Sequence, residues 1–271
     1  MHATLTRLGS LDDLAARDTP AARLDPRAKV IATLGFVAVV ASFGRHDLLR
    51  LTPLLAYPLA LAALGDVPLR PLLLRLALAA PFVIGVAAFE PLLDRSPALS
   101  LGGWEVSGGA LSSATILLKF LLSLSAALFL VATTGFDAVC VALRRLGAPR
   151  ALTTQLLLTF RYLFVLGEEA ARALRAHALR SPDHPRPTLR AAGTLLGHLL
   201  VRSLARAERV HAAMRCRGFA GDLRLLRSFR LRPADLAFLA AAAALLVAAR
   251  GADLPALLGA ALGALPAGGF R

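Results

Sequence analysis

The residues best suited to specific chemistry in this chain are arginines placed where helices must stop. From position 202 the sequence reads Arg-Ser-Leu-Ala-Arg-Ala-Glu-Arg-Val-His-Ala-Ala-Met-Arg-Cys-Arg-Gly-Phe-Ala-Gly-Asp. Gly218 accepts the left-handed conformation that closes a helix C-terminus, so Arg217 is presented at a helix end. A guanidinium there complements the negative end of its own helix dipole and stays free for a two-pronged bond to a carboxylate. A second arginine, Arg180, precedes Ser181-Pro182-Asp183-His184-Pro185-Arg186-Pro187, and so many prolines cannot continue a helix. Anion or carboxylate recognition at two helix ends is the chemistry this pattern offers.

Other chemistries lack their residues. No glycine-rich phosphate loop with Lys and Ser/Thr is present and no G-x-G-x-x-G follows a strand, which excludes ATP hydrolysis by that route. His2, His46, His177, His184, His198 and His211 show no metal-ligand spacing; His184 and His198 have no Cys or carboxylate to complete a set. Cys140 and Cys216 read as small packing residues, and a disulfide is not expected if their region is cytosolic. The arginines alone would suit nucleic acid, but the basic helices lack the aromatic residues that stack on bases, so no nucleic-acid partner is expected.

The elements that position these arginines follow from hydropathy. Hydrophobic residues make up 57% of the chain and the net charge is +14, a combination that directs attention to membrane spans. Apolar runs at 28–43, 48–64, 69–89, 111–134 and 234–249 approach the ~20 residues a bilayer-crossing helix needs. Asp25 and Pro26 suit the N-cap and first position of the first run, while Lys29 would have to snorkel to water. Pro53 and Pro58 interrupt the second, which a membrane helix tolerates when neighbours satisfy the freed carbonyls. The stretch 90–110 reads as an external loop. Lys119 lies inside the fourth run, where a charge costs roughly 2.5 to 3.5 kcal/mol and calls for a partner or a route to water.

More than half of the Lys and Arg lie in 135–232, where the pattern changes. Phe136, Val139, Cys140, Leu143 and Leu146 form one apolar stripe, stopped by Gly147 and Pro149. The run 152–166 is nearly apolar enough to span, but Arg161 interrupts it, so it should continue as an amphipathic helix with Glu168 and Arg172 paired one turn apart. The next helix places Leu189, Ala192, Leu196, Leu199, Ser203, Ala207, Val210 and Met214 on one face. Arg202, Arg206, Arg209 and Arg215 lie on the others, so Arg206 reads as part of a solvated basic surface. The expected fold is therefore all-α: a polytopic membrane protein with about five transmembrane helices and a cytoplasmic helical region. Its parts are a cytoplasmic N-terminal segment 1–27, spans 1–4 within 28–134, amphipathic helices within 135–232, and a last span with a tail in 233–271. The positive-inside rule puts the N-terminus and 135–232 in the cytoplasm.

In order and spacing, Leu24-Asp25-Pro26-Arg27-Ala28-Lys29, Thr133-Thr134-Gly135-Phe136, Phe160-Arg161-Tyr162 with Glu168-Glu169, Glu208-Arg209-Val210, Ala213-Met214 and Cys216-Arg217-Gly218-Phe219 resemble a family. It is the transmembrane (T) component of energy-coupling factor transporters, in its cobalt-type CbiQ form. The resemblance covers most of the chain. It implies that Ala-Arg-Gly-like motifs at two coupling-helix ends dock on a pair of ABC-type ATPase subunits. The second motif corresponds to Cys216-Arg217-Gly218, with Cys in place of another small residue. The first corresponds to Leu179-Arg180-Ser181, which departs at both flanking positions. It further implies a separate substrate-binding (S) membrane subunit, ATP bound only by the partners, no cofactor in this chain, no enzymatic activity, and an inner-membrane location for cobalt uptake. Nickel and vitamin importers such as those for biotin share that architecture. A polytopic enzyme acting on lipid phosphates is the alternative of a different class, without the intramembrane carboxylates or histidines to support it.

Overall fold

The computed structural model describes residues 19–45, 47–93, 97–101, 104–181, 187–221 and 232–251. Among these, the elements are α1 (Pro26–Ser42), α2 (Leu48–Gly65), α3 (Leu69–Ala87), α4 (Glu90–Leu93), β1 (Pro97–Leu101), β2 (Trp104–Ser107), α5 (Gly108–Thr134), α6 (Phe136–Arg145), α7 (Arg150–Arg180), α8 (Leu189–Cys216) and α9 (Pro233–Gly251). They form two compact units. One holds the described residues up to Gly135 and from Arg232 onward; the other holds those from Phe136 to Gly221. The stretch read as an external loop is built more fully than expected, with α4 and an antiparallel β1–β2 pairing in which Ser100 faces Glu105. The fold is otherwise helical throughout its described length.

In the first unit α5 is central, packing against α1, α2 and α3. Leu122, Ala126 and Phe129 are among its buried residues. Two of the α5 hydroxyls are tied back along the helix, Thr115 donating to the Leu111 carbonyl and Thr133 to the Phe129 carbonyl, while the buried Thr134 hydroxyl has no hydrogen-bond partner. α1 begins as its sequence dictates. Asp25 accepts from the Arg27 N–H at 2.9 Å, and Pro26 occupies the first turn, where no N–H is needed. The inward stripe of α1 runs through Lys29, Thr33, Phe36 and Val40, spaced three or four apart. Phe36 stacks on Tyr57 of α2 at 4.5 Å, and the Tyr57 hydroxyl shares a 2.8 Å hydrogen bond with Thr33. α2 accommodates Pro53 by tightening to a 3-10 turn over Thr52–Leu55, which removes the demand for the proline's missing donor.

Leu48–Gly65, Gly108–Thr134 and Pro233–Gly251 are each long and apolar enough to cross a membrane, and α3 adds the apolar stretch Leu72–Ala87. α1 has 17 residues, mostly apolar but with Arg27 and Lys29 in its first turn. Leu72, Leu76, Val83 and Ala87 of α3 face inward, while Leu78, Phe82 and Ile84 are exposed. A continuous outward apolar face is a liability in water and the expected surface in lipid.

Lys29 corrects an expectation. It does not snorkel: it is 1% exposed and donates to the Ala21 carbonyl at 2.9 Å and the Thr133 carbonyl at 3.1 Å. Its stem lies in the packed stripe of α1, and its charge is met by the Ala21 carbonyl and by that of Thr133 at the C-terminal end of α5, where a helix dipole favours a cation. Lys119 finds a partner too, donating at 2.7 Å to the carbonyl of Phe43 just beyond the end of α1. α9 runs parallel to α1 and is fixed at both ends. Asp235 accepts the Asp25 N–H at 2.7 Å, and Arg250 donates to Ser42 and lies over the Phe43 ring. Between these ends Ala242, one of the small residues of α9, is buried, the kind of residue that lets membrane helices approach closely. The start of α1, the end of α5 and the start of α9 therefore converge at one end of the bundle.

At Gly65 α2 lies close against α5. A Cβ there would collide with Thr133 Cγ2 and approach Val67 Cγ2 to 3.0 Å. Over-packing of this kind costs about 1 to 3 kcal/mol. Gly65→Ala should thus lower the thermal midpoint of the purified protein in detergent, whereas Gly85→Ala, with nothing within 4 Å of an added Cβ, should not.

Candidate functional site

In the second unit, α6 packs on α7 and α7 on α8. Phe136 stacks on Phe160 at 4.3 Å, and Phe160 meets Phe164 edge-on at 5.1 Å. Ala138, Cys140 and Ala142 are the buried residues of α6, whereas Leu146, expected in its apolar stripe, is exposed. Gly147 has φ +107, with the Gly147 N–H bonding the Arg144 carbonyl and the Ala148 N–H bonding that of Leu143. That paired pattern is a Schellman closure, so the helix ends where glycine and proline predict.

α8 ends by the same device. Gly218 has φ +81; its N–H bonds the Arg215 carbonyl, and the Phe219 N–H bonds that of Met214, both at 3.0 Å. Arg217 is the C-cap residue, exposed together with Cys216 and Gly218. Arg180 is the last residue of α7, exposed together with Leu179, and the Ser181 N–H bonds the His177 carbonyl at 3.0 Å. Both arginines therefore stand at helix ends with their side chains in solvent. Of the neighbouring histidines, His184 lies outside the described residues. Among the described residues no three His, Cys, Asp or Glu side chains are grouped as a metal site.

The packing of α8 differs from the sequence expectation. None of its residues is fully buried, Leu189 is 93% exposed and Leu196 also faces out. The half-buried side runs through Ala192, Leu195, Leu199, Ser203, Arg206, Val210 and Met214. Arg206 thus belongs to the inner side. Its Nη2 donates to Glu169 Oε2 of α7 at 3.0 Å, while Arg202 Nη1 stands 4.0 Å from Glu169 Oε1. Glu168 and Arg172 pair as expected at 3.5 Å, an exposed pair that contributes little.

Glu169 facing Arg206 and Thr154 donating to the Gly221 carbonyl at 3.3 Å show α7 and α8 running antiparallel in a single register. Arg180 follows Glu169 by eleven residues, and Arg217 follows Arg206 by the same number. At 1.5 Å per residue each arginine lies about 16 Å from the ion pair, in opposite directions, which separates them by roughly 30 Å along the hairpin. Sequence reasoning found both arginines but not this symmetry, because it missed the Glu169–Arg206 contact that sets the register.

The two cysteines part company. Cys140 is buried, and burial with the nearby Asp137 carboxylate pushes its thiol up to about 11. Cys216 is exposed beside Arg217 and is not the packing residue expected. A maleimide applied at neutral pH should label Cys216 within minutes and leave Cys140 unmodified until the protein is unfolded, since the thiolate is the reactive form. Mass spectrometry of peptides from the labelled chain reads both sites.

The lipid-compatible helices of the first unit are those of a multi-pass membrane protein, and the second unit is a strongly basic helical hairpin. The family model described as "Cobalt transport protein" (CbiQ) matches residues 17–227, and the chain belongs to the CbiQ family. It is similar to the cobalt transport protein CbiQ of Salmonella typhimurium, 31% identical over 160 residues that cover 55% of this chain and 71% of the relative. The CbiQ of Rhodobacter capsulatus is 36% identical over 111 residues, 39% of this chain and 42% of the relative. The nickel permease LarQ of Lactiplantibacillus plantarum is 33% identical over 104 residues, 38% of each chain.

Proposed function

We propose that this chain is the transmembrane coupling subunit of an energy-coupling factor importer for cobalt. In this reading Leu179-Arg180-Ser181 and Cys216-Arg217-Gly218 dock on two ABC-type ATPase subunits, which bind ATP, and a substrate-binding membrane subunit completes the complex. The observation that carries it is the placement of Arg180 and Arg217, both exposed at helix ends and equidistant from the Glu169–Arg206 pair. Two like sites about 30 Å apart suit two copies of one partner better than a single ligand. A guanidinium at each can form a two-pronged bond to a carboxylate of that partner.

The orientation supports the same reading. Lys29, Thr133 and Asp235 meet at one end of the bundle, so the basic segment leaves from and returns to the side where α1 begins. With the arginines concentrated there, that side is cytoplasmic. An impermeant thiol reagent should then reach a cysteine at Ser107 in intact cells and not one at Ser181.

Co-expression with ABC-type ATPase subunits tests the role directly. Purification through this chain should recover two ATPase subunits per copy, and cobalt uptake should require all components. Recovery of the chain alone under conditions that preserve the membrane complex would sink the proposal. The likeness to a nickel permease favours nickel as the second reading of the cargo, and uptake of each metal in competition with the other decides between them.

A further inference from the structure

Glu169 is 14% exposed at its side chain and lies against two arginines on successive turns of α8, Arg206 at 3.0 Å and Arg202 at 4.0 Å. α8 has no fully buried residue, so few interlocked apolar side chains resist its sliding along α7. Packed interfaces with two discrete arrangements can switch by one helical turn. Resting on the coupling role proposed above, we propose that Glu169 is a positioning residue that indexes α8 against α7, with Arg206 and Arg202 as alternative partners one turn apart.

The consequence is geometric. Moving the Glu169 contact from Arg206 to Arg202 carries α8 four residues along its own direction, about 6 Å. Arg217 then lies farther from Arg180 by the same amount, so the two docking ends take two spacings without either register leaving the Glu169 carboxylate unpaired. Arg202, 73% exposed at its side chain, contributes little to the resting register and is needed only in the shifted one. Arg206 holds the resting register.

Spin labels on cysteines introduced as His177→Cys and Ala213→Cys, in a full-length chain with its own cysteines replaced, measure the register in detergent without any partner. Adding Arg206→Gln should lengthen the label distance by about 6 Å. Arg202→Gln should leave the distance, the thermal midpoint and ATPase recovery unchanged, yet lower cobalt uptake by the assembled transporter about fivefold or more. An unchanged distance in Arg206→Gln, or full uptake in Arg202→Gln, overturns the two-register proposal. Failure of the coupling reading looks different: Arg180→Ala and Arg217→Ala would then leave ATPase recovery intact, while the distance measurement on the isolated chain would stand.

Discussion

Arg217→Ala is expected to reduce cobalt uptake more than tenfold while the chain still folds and inserts. The side chain is exposed at the C-cap of α8, and the closure of that helix rests on Gly218 and on backbone bonds. Removing the guanidinium therefore takes little from the fold. Truncating one member of a hydrogen-bonded charge pair at an interface costs about 2 to 5 kcal/mol, and about 1.4 kcal/mol is a factor of ten in affinity. Arg180→Ala should behave alike at the end of α7. Arg209→Ala is the comparator, because Arg209 is exposed on α8 away from its end and should change uptake little. Arg206, which the sequence would nominate for that purpose, is unsuitable: it is bonded to Glu169, so its loss alters the hairpin itself. Uptake and ATPase recovery measured side by side check the result. Equal losses at positions 180, 209 and 217 would mean a diffuse basic surface and would end the docking assignment.

Asp235→Ala is expected to be the most damaging single substitution for the membrane unit. Asp235 is 1% exposed and accepts two backbone N–H groups, Asp25 through Oδ1 and Arg232 through Oδ2, each at 2.7 Å. Leaving a buried donor unsatisfied costs about 1 to 3 kcal/mol; that applies to the Asp25 N–H, whereas Arg232 is an exposed residue and its N–H adds less, and even a loss of this size is a large share of the stability of a folded domain. The damage falls where α1 and α9 begin. Thermal unfolding in detergent should show a sharply lower midpoint for Asp235→Ala. Asp235→Asn, which keeps one acceptor oxygen, should retain about half of the lost stability. A midpoint for Asp235→Ala within a degree of the parent would show that other groups take over both donors.

Several features of this protein were determined by the sequence alone, because they depend on neighbours in the chain. Asp25-Pro26 starts α1 since a carboxylate N-cap and a proline at the first turn satisfy local needs. Gly147 and Gly218 end α6 and α8 since only glycine enters the left-handed region at little cost. The Glu168–Arg172 pair follows from helical spacing, and the apolar spans from composition. The tertiary structure decided what depends on partners distant in sequence. Lys29 is buried rather than snorkelling because the carbonyls of Ala21 and Thr133 are brought to it. Arg206 turns inward, and Leu196 outward, because Glu169 on another helix offers a charge that no periodicity in α8 records. Cys140 and Cys216 have the same side chain, yet one is buried and the other exposed. The distance between Arg180 and Arg217 belongs to the same category: helix ends are local, but the register between two helices is set where their side chains meet.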